Sequence, residues 1–372
     1  MRLTKAIINT SYLKKNFLNI RRKVGTRKIM AVVKADAYGH NVKFVVDILN
    51  SLGRKKPEYF AVATVDEGIE LRRIGVKQQI LIFDPIDKYQ SASLFKYDLI
   101  PSVFTNNHIK ILIKEKNKLK SKDPIKVHIK VDTGMNRLGV DYIDAVDFIK
   151  RISKDNNFII DGVFTHFATS DEKGSQYAKL QIQRFNKVLF DLKKEKIKYG
   201  LAHAANSGAI IDFPEAYYDM VRPGISLYGY YPSLKTSESI KLYPVMSLVS
   251  KVSTIKVINK GESVSYSRKY YTAKKTKIVS VPIGYADGFP RSLTNNARAL
   301  INGKFYPQIG TVTMDRIMFD VGYDKVNVND DVILLGKQKK TSIDAWDWSK
   351  VINTIPYEIT CGISKRVPRI KK

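Results

Sequence analysis

One cysteine in 372 residues, Cys361, excludes an internal disulfide and any metal site built on paired cysteines. Long apolar runs are missing too. "KIMAVVK" and "QILIFD" stop well short of the ~20 residues that cross a bilayer, so no membrane helix is expected. The N-terminal stretch "MRLTKAIINTSYLKKNF" has a basic start but neither an apolar centre nor a small-residue cleavage site, and a cytoplasmic protein is expected. Acidic residues are scarce: 35 Asp and Glu stand against 64 Lys and Arg, a net charge of +29. Such an excess attracts polyanions at low salt. The lysines, however, are spread through segments such as "NKVLFDLKKEKIK" and "KILIKEKNKLK", where they form solvated faces, and no nucleic-acid-binding motif accompanies them. A lysine-rich surface without a specific nucleic-acid partner is expected.

What is present is a globular chain, 44% apolar, long enough for two domains. Short β-rich runs occur at 28–34, 58–64, 79–84, 98–105, 125–132, 160–167, 200–206 and 220–229. Between them lie segments with apolar spacing of three and four, among them "NVKFVVDILNSLG", "TVDEGIELRRIG", "YIDAVDFIKRIS" and "YAKLQIQRFNKVLFDLKK". Continuous apolar strands alternating with helices argue for a parallel sheet, and eight such units predict a (β/α)8 barrel over residues 1–235. After "PSLKTSES" the texture changes to period-two runs, "SLVSKVSTIKVI", "TKIVSVPIG" and "DVILLG". These predict a C-terminal mainly-β domain over 236–372 with little helix; a short contribution to it from the N-terminal segment is also expected.

Active sites of such barrels lie at the carboxyl ends of the strands. Lys34 closes the first run and opens a tight polar turn, "KADAYGHN". Lys130, Asp132 and Arg137, then His166, then Asn206 and Ser207, then Arg222 and Gly224 follow later strands. A lone lysine there would read as a solvated loop residue, and a lone histidine in "THF" as a satisfied core histidine. Ser207 on its own could equally cap a helix. It is the convergence of these groups on one rim that points to chemistry.

The motifs "VVKADAYGHN", "VHIKVDTGMNRLGV", "FTHFATSD", "HAANSGAI", "VRPGISLYG", "VSYSRKY", "IGYADGFPR", "GTVTMD" and "NTIPYEITCGISKRVPR" run in this order through nearly the whole chain. In identity and order they resemble the alanine racemases, pyridoxal-phosphate enzymes with a barrel followed by a β domain. Three departures are mild: Asn41 and Ser267 stand where glycine is common, and Thr313 where cysteine often stands.

The resemblance implies a role for each candidate. Lys34 resembles the lysine that holds the cofactor's aldehyde and then acts as a base; burial at a strand end would lower its pKa. Tyr38, Ser207, the Gly224–Ile225 backbone and Tyr357 resemble the phosphate ligands. Arg222 resembles the partner of the pyridine nitrogen, where a guanidinium keeps that nitrogen neutral and disfavours amino-group transfer. Arg137 resembles the arginine that binds the cofactor's phenolic oxygen and the substrate carboxylate. Lys130 resembles a lysine often carbamylated by CO₂.

Tyr266 resembles the base on the opposite face of the substrate, helped by His166, with His203 in support. Met314 and Asp315 resemble residues that hold the carboxylate, and Tyr285 part of a narrow entry. The implied protein is a homodimer with shared active sites that interconverts L- and D-alanine and supplies D-alanine for peptidoglycan. A serine or broad-specificity racemase, a related decarboxylase and a non-catalytic pyridoxal-phosphate-binding barrel are the alternatives.

Overall fold

Eight parallel strands, each paired with the next in the chain, close on themselves in a computed structural model of the protein, which describes residues 2–372. They are Lys28–Val32, Tyr59–Val62, Gln79–Ile82, Ile100–Val103, Ile125–Asp132, Phe158–Phe164, Leu201–His203 and Met220–Val221. Closure comes from the last pairing with the first, Met220 opposite Lys28 and Val221 opposite Ile29. Met30, Phe60, Leu81, Val103, Ile129 and Val163 are buried strand residues, which explains why these segments read as unbroken apolar runs.

Helices between the strands start where their sequences supply a cap. Thr64 accepts from Glu67 N while the Glu67 carboxylate accepts from Thr64 N, a reciprocal box that opens the helix Val65–Arg73. Thr105 and Ser175 cap Asn106–Lys118 and Gln176–Lys194 in the simpler way.

The sequence-based strand limits differ from the observed ones in a consistent direction. The first strand ends at Val32, not at Lys34, and the last ends at Val221, not at residue 229. In the latter case Pro223 and Gly224 follow at once and the chain turns into the 3-10 segment Ile225–Tyr228.

The chain divides into two compact units. The barrel lies in the unit formed by Lys14–Ala37 and Val45–Leu242, and the other unit joins Met1–Leu13, Tyr38–Phe44 and Tyr243–Lys372. The latter contains a 10-stranded sheet. Alternate burial along Met246–Lys251 and Ile317–Gly322 matches the period-two reading of the sequence. Its strand Lys5–Ile8 pairs antiparallel with Met246–Val249 on one side and parallel with Arg369–Lys371 on the other.

Two helices stand in this unit where the period-two pattern predicts little helix. Ala345–Ile352 is opened by an Asp344–Asp347 capping box, and Pro356–Gly362 has its proline in the first turn, where no backbone donor is missed.

Residues Lys34–Gly39 form a single helical turn of the wrong hand. Ala35, Asp36, Ala37 and Tyr38 all have φ between 52 and 55°, and Gly39 has φ 80°. A left-handed residue costs roughly 1–2 kcal/mol, so four in a row survive only if their surroundings fix them. Ala35 N donates to the Glu67 carboxylate at 2.6 Å and Ala37 N to Val33 O at 2.9 Å. At Gly39 a Cβ would lie 2.1 Å from Thr360 O, so no other residue fits there.

Candidate active site

Lys34 is the first residue of the left-handed turn and is half-buried rather than buried, so the expected burial at a strand end is not what the structure has. At other strand ends of the same barrel stand Lys130, His166, Ser207 and Arg222.

Arg222, one residue past the last strand, is the most enclosed charge of the group. Its Nη1 donates to His203 Nδ1 at 2.8 Å, and its Nη2 to Thr165 O at 2.8 Å, Ala204 O at 2.9 Å and His166 Nδ1 at 3.2 Å. A guanidinium has no acceptor, so both imidazoles accept at Nδ1. Burial holds His166 well below the usual histidine range, with the Arg222, Arg137, Lys130 and Lys34 charges adding to it. His203 is held down by burial and by Arg222 in the same way. Each ring is therefore neutral and carries its proton on Nε2. Burial also pulls Arg222 down to about 9, which leaves it charged at neutral pH.

Phe164 forms the wall behind these groups. Its ring stacks on His203 with centroids 4.8 Å apart and planes 2° from parallel, and the Arg222 guanidinium carbon lies 5.5 Å from its centroid. Lys130 Nζ sits 5.8 Å from the same ring. Burial, then the positive charges of Arg137 and Arg222, lower the Lys130 ammonium to about 8, against partial relief from Asp132 and Asp84. Arg137 itself is exposed on the loop after the fifth strand.

Ser207 Oγ accepts from Gly224 N at 2.9 Å and Ser226 N at 3.3 Å, and shares a hydrogen bond with Ser226 Oγ at 3.0 Å. Ile225 is buried between the two donors. The cap of the helix Ser207–Asp212 is Asn206, whose side chain accepts from Ala209 N, so Ser207 is free of that duty. Gly208 lets this turn approach Ser170, whose carbonyl oxygen would lie 2.3 Å from a Cβ.

In the other unit the structure brings Tyr38 and Tyr357 together, with ring centroids 5.9 Å apart. Tyr266, Tyr285, Met314 and Asp315 are exposed on three loops that are sewn to one another. Thr311 Oγ1 donates to Tyr266 O at 2.7 Å, Tyr285 N to Thr313 O at 3.0 Å and Ala286 N to Met314 O at 3.2 Å. Beneath them Asp287 is fully buried and meets Arg2 Nη2 at 2.5 Å and Arg366 Nε at 3.4 Å, while Arg366 Nη2 reaches Asp315 at 2.7 Å.

The chemistry of the barrel set suits an anionic phosphate carried on a nitrogen heterocycle. Two buried hydroxyls and backbone N–H groups gather at one strand end, a buried cation with only donors at the next, and an amine at the first.

The alanine racemase N-terminal domain family matches residues 8–232, and the alanine racemase C-terminal domain family residues 245–371. The chain belongs to the alanine racemase family. It is 43% identical to an alanine racemase of Halothermothrix orenii, over 99% of this chain and 96% of that one. Its fold superimposes on an alanine racemase of Clostridium difficile 630 with a TM-score of 0.93 and 36% identity, covering 99% and 95% of the two chains. A histidine racemase of Leuconostoc mesenteroides is also similar, at TM-score 0.91 and 28% identity, covering 100% and 98%.

Two departures from the alanine racemase pattern have a conformational basis. Asn41 has φ 68° and Ser267 φ 60°, so glycine is the residue with least strain at both. Asparagine tolerates this region better than most and here also accepts from Phe44 N at 3.0 Å. Thr313 Oγ1 closes its own loop by donating to Arg316 O and accepting from Arg316 N. Phe164, Ser226 and Arg366 were not singled out from the sequence. Ser226 lies inside a quoted motif, "VRPGISLYG", and its alternation with Gly224 was the available signal.

Proposed function

We propose that this protein is a pyridoxal-phosphate-dependent alanine racemase, acting in the cytoplasm as a homodimer and supplying D-alanine for peptidoglycan. The observation that supports it most directly is the buried, donor-only Arg222 at one strand end, beside the Ser207–Ser226 cluster. Bound pyridoxal phosphate would supply an aldehyde for the substrate amine and a conjugated ring that draws charge from Cα.

The chain's own groups do the rest. Lys34 holds the cofactor and moves the proton at Cα on one face. Tyr266, from a second copy of the chain, moves it on the other. A phenol becomes a base only once ionised, so it needs a donor to stabilise that form, and the Nε2–H of neutral His166 is of that kind. Arg222 donates toward the ring nitrogen and cannot pass it a proton, which favours proton return to Cα over amino-group transfer. Ser207, Gly224, Ile225, Tyr38 and Tyr357 hold the phosphate. Arg137, Met314 and Asp315 hold the substrate carboxylate, and Tyr285 narrows the entry.

Lys130 has the reactivity needed for CO₂ capture, since an amine lowered to about 8 is in part unprotonated at neutral pH. As a carbamate it would neutralise Arg137. The reading is tested by measuring kcat/KM for conversion of L-alanine, L-serine and L-histidine to their D forms. A strong preference for alanine is expected. Equal values for alanine and serine overturn the alanine assignment, and absence of any racemisation overturns the enzyme.

A further inference from the structure

Behind Arg222 the polar contacts do not stop at His203. His203 Nε2 lies 2.8 Å from His128 Nδ1, His128 Nε2 lies 3.2 Å from Asp161 Oδ2, and Tyr59 Oη donates to the same oxygen at 3.0 Å. These residues come from the second, fifth, sixth and seventh strands, so the series runs through the barrel interior. His128 and His203 are fully buried. Room for the first of them depends on Gly162, where a Cβ would lie 2.5 Å from His128 Nδ1. At the far end the Asp161 side chain is 23% exposed, in a cleft with Lys150, Lys154 and Lys198.

The direction of every bond follows from the arginine. A guanidinium can only donate, so His203 Nδ1 must accept. A neutral imidazole then has its proton on Nε2 and donates to His128 Nδ1. With its Nδ1 bare, His128 also carries its proton on Nε2 and donates to Asp161. A protonated His128, the alternative for a histidine beside a carboxylate, would need His203 to be anionic. Burial acts in the same sense, holding both imidazoles below the usual range, and the hydrogen bonds from His128 and Tyr59 lower the Asp161 carboxyl below its usual range.

We infer that Asp161 is the remote counter-charge of Arg222, and that His203 and His128 relay it through a one-way hydrogen-bond chain that keeps the guanidinium charged and fixed in orientation. Among the described residues no carboxylate forms an ion pair with Arg222, and this chain is the hydrogen-bonded route by which one reaches it. Aligned hydrogen bonds polarise one another in the same sense, which suits such a relay. Asp161 and His128 are thus positioning residues for the reaction. This half of the inference rests on the proposed role of Arg222, whereas the direction of the chain does not.

The test uses holoenzyme labelled with 15N-histidine. The chain has five histidines, and the ring resonances are assigned by replacing each in turn. His203 and His128 are both expected as neutral rings protonated at Nε2. Asp161→Asn keeps the volume and an acceptor but removes the charge. It should preserve the His128 tautomer, shift the His203 Nδ1 resonance and lower kcat about tenfold at unchanged KM, by analogy with the carboxylates that orient metal-bound histidines. Asp161→Leu should also release His128 into mixed tautomers.

A Nδ1-protonated ring or an imidazolium at either position overturns the proposal. So do wild-type His203 shifts and wild-type kcat in the Asp161→Asn protein. If the wild-type protein shows no racemase turnover, the reading of the site fails instead, and the tautomers alone decide the chain.

Discussion

The two units present their functional groups in opposite ways. The barrel unit encloses its central groups, though not Arg137: Arg222 and His203 are buried, and their orientations are dictated by hydrogen bonds that reach across several strands. The β unit buries Tyr38 but exposes others: Tyr266 is 71% and Met314 51% accessible, and their positions are set by loop backbone rather than by side-chain packing. In the barrel, then, function and stability are the same contacts, whereas in the β unit they are separable. Substitutions in the first should move both kinetics and folding, and those in the second kinetics alone.

The largest expected effect removes a proton-transfer group from each region. Lys34→Ala should lower turnover by roughly 10³-fold or more, and Tyr266→Phe by roughly 10²-fold. The Tyr266 variant should melt with the wild type, because the side chain is exposed on its own chain and phenylalanine keeps the ring for any packing in the shared site, and a fall of several degrees in its Tm would erase the contrast. Mixing Lys34→Ala with Tyr266→Ala protein and allowing subunits to exchange should restore about a quarter of wild-type activity if the site is shared between two chains. No recovery would mean that each site is built within one chain.

Stability against pH probes the barrel interior next. Lys130 is lowered to about 8 in the folded protein from 10.5. The unfolded chain therefore binds more protons between those values, and stability should rise as pH increases from about 8 towards 10 in CO₂-free buffer. Lys130→Met should abolish the rise and be the more stable protein at pH 7. Added bicarbonate should instead raise wild-type stability and carry the rise to lower pH, if the amine is carbamylated, because forming the carbamate from the ammonium also releases a proton; urea titrations at each pH measure all three.

Ser226→Ala removes one partner of Ser207 and should cost about 1 kcal/mol in urea unfolding, with weaker retention of pyridoxal phosphate on dialysis. An unchanged protein would show that the hydroxyl pair is incidental. Smallest of all, Ser267→Gly relieves a left-handed serine and should stabilise by less than about 1 kcal/mol without touching the barrel.

How much of this could be read from the sequence follows the same division. The barrel strands were legible because both faces are buried and the runs are apolar, and the rim residues because each closes such a run inside a recognisable motif. Their limits were less so. Residues 222–229 keep the composition of a strand, yet turn sharply to bring Gly224 and Ser226 to Ser207. Likewise "AYGH" gives no warning of a left-handed turn, because alanine has no preference for that region and only the surroundings impose it. His128 and Asp161 were invisible for a different reason: partners 75 and 33 residues apart leave no local pattern, and in "VHIKVD" a histidine looks like any polar residue between valines.

The strand Lys5–Ile8 has a consequence for how the chain is made. Both of its neighbours in the sheet, Met246–Val249 and Arg369–Lys371, lie in the C-terminal third. During synthesis at ~5–20 residues per second, Ile7 waits on the order of 20–70 s before its parallel partner Ile370 is made. For that interval an apolar strand with two open edges travels ahead of a barrel whose eight strands can already pair. The beginning of the chain is thus among the last parts to find its place, and a fragment ending at the barrel would carry that strand permanently unpaired.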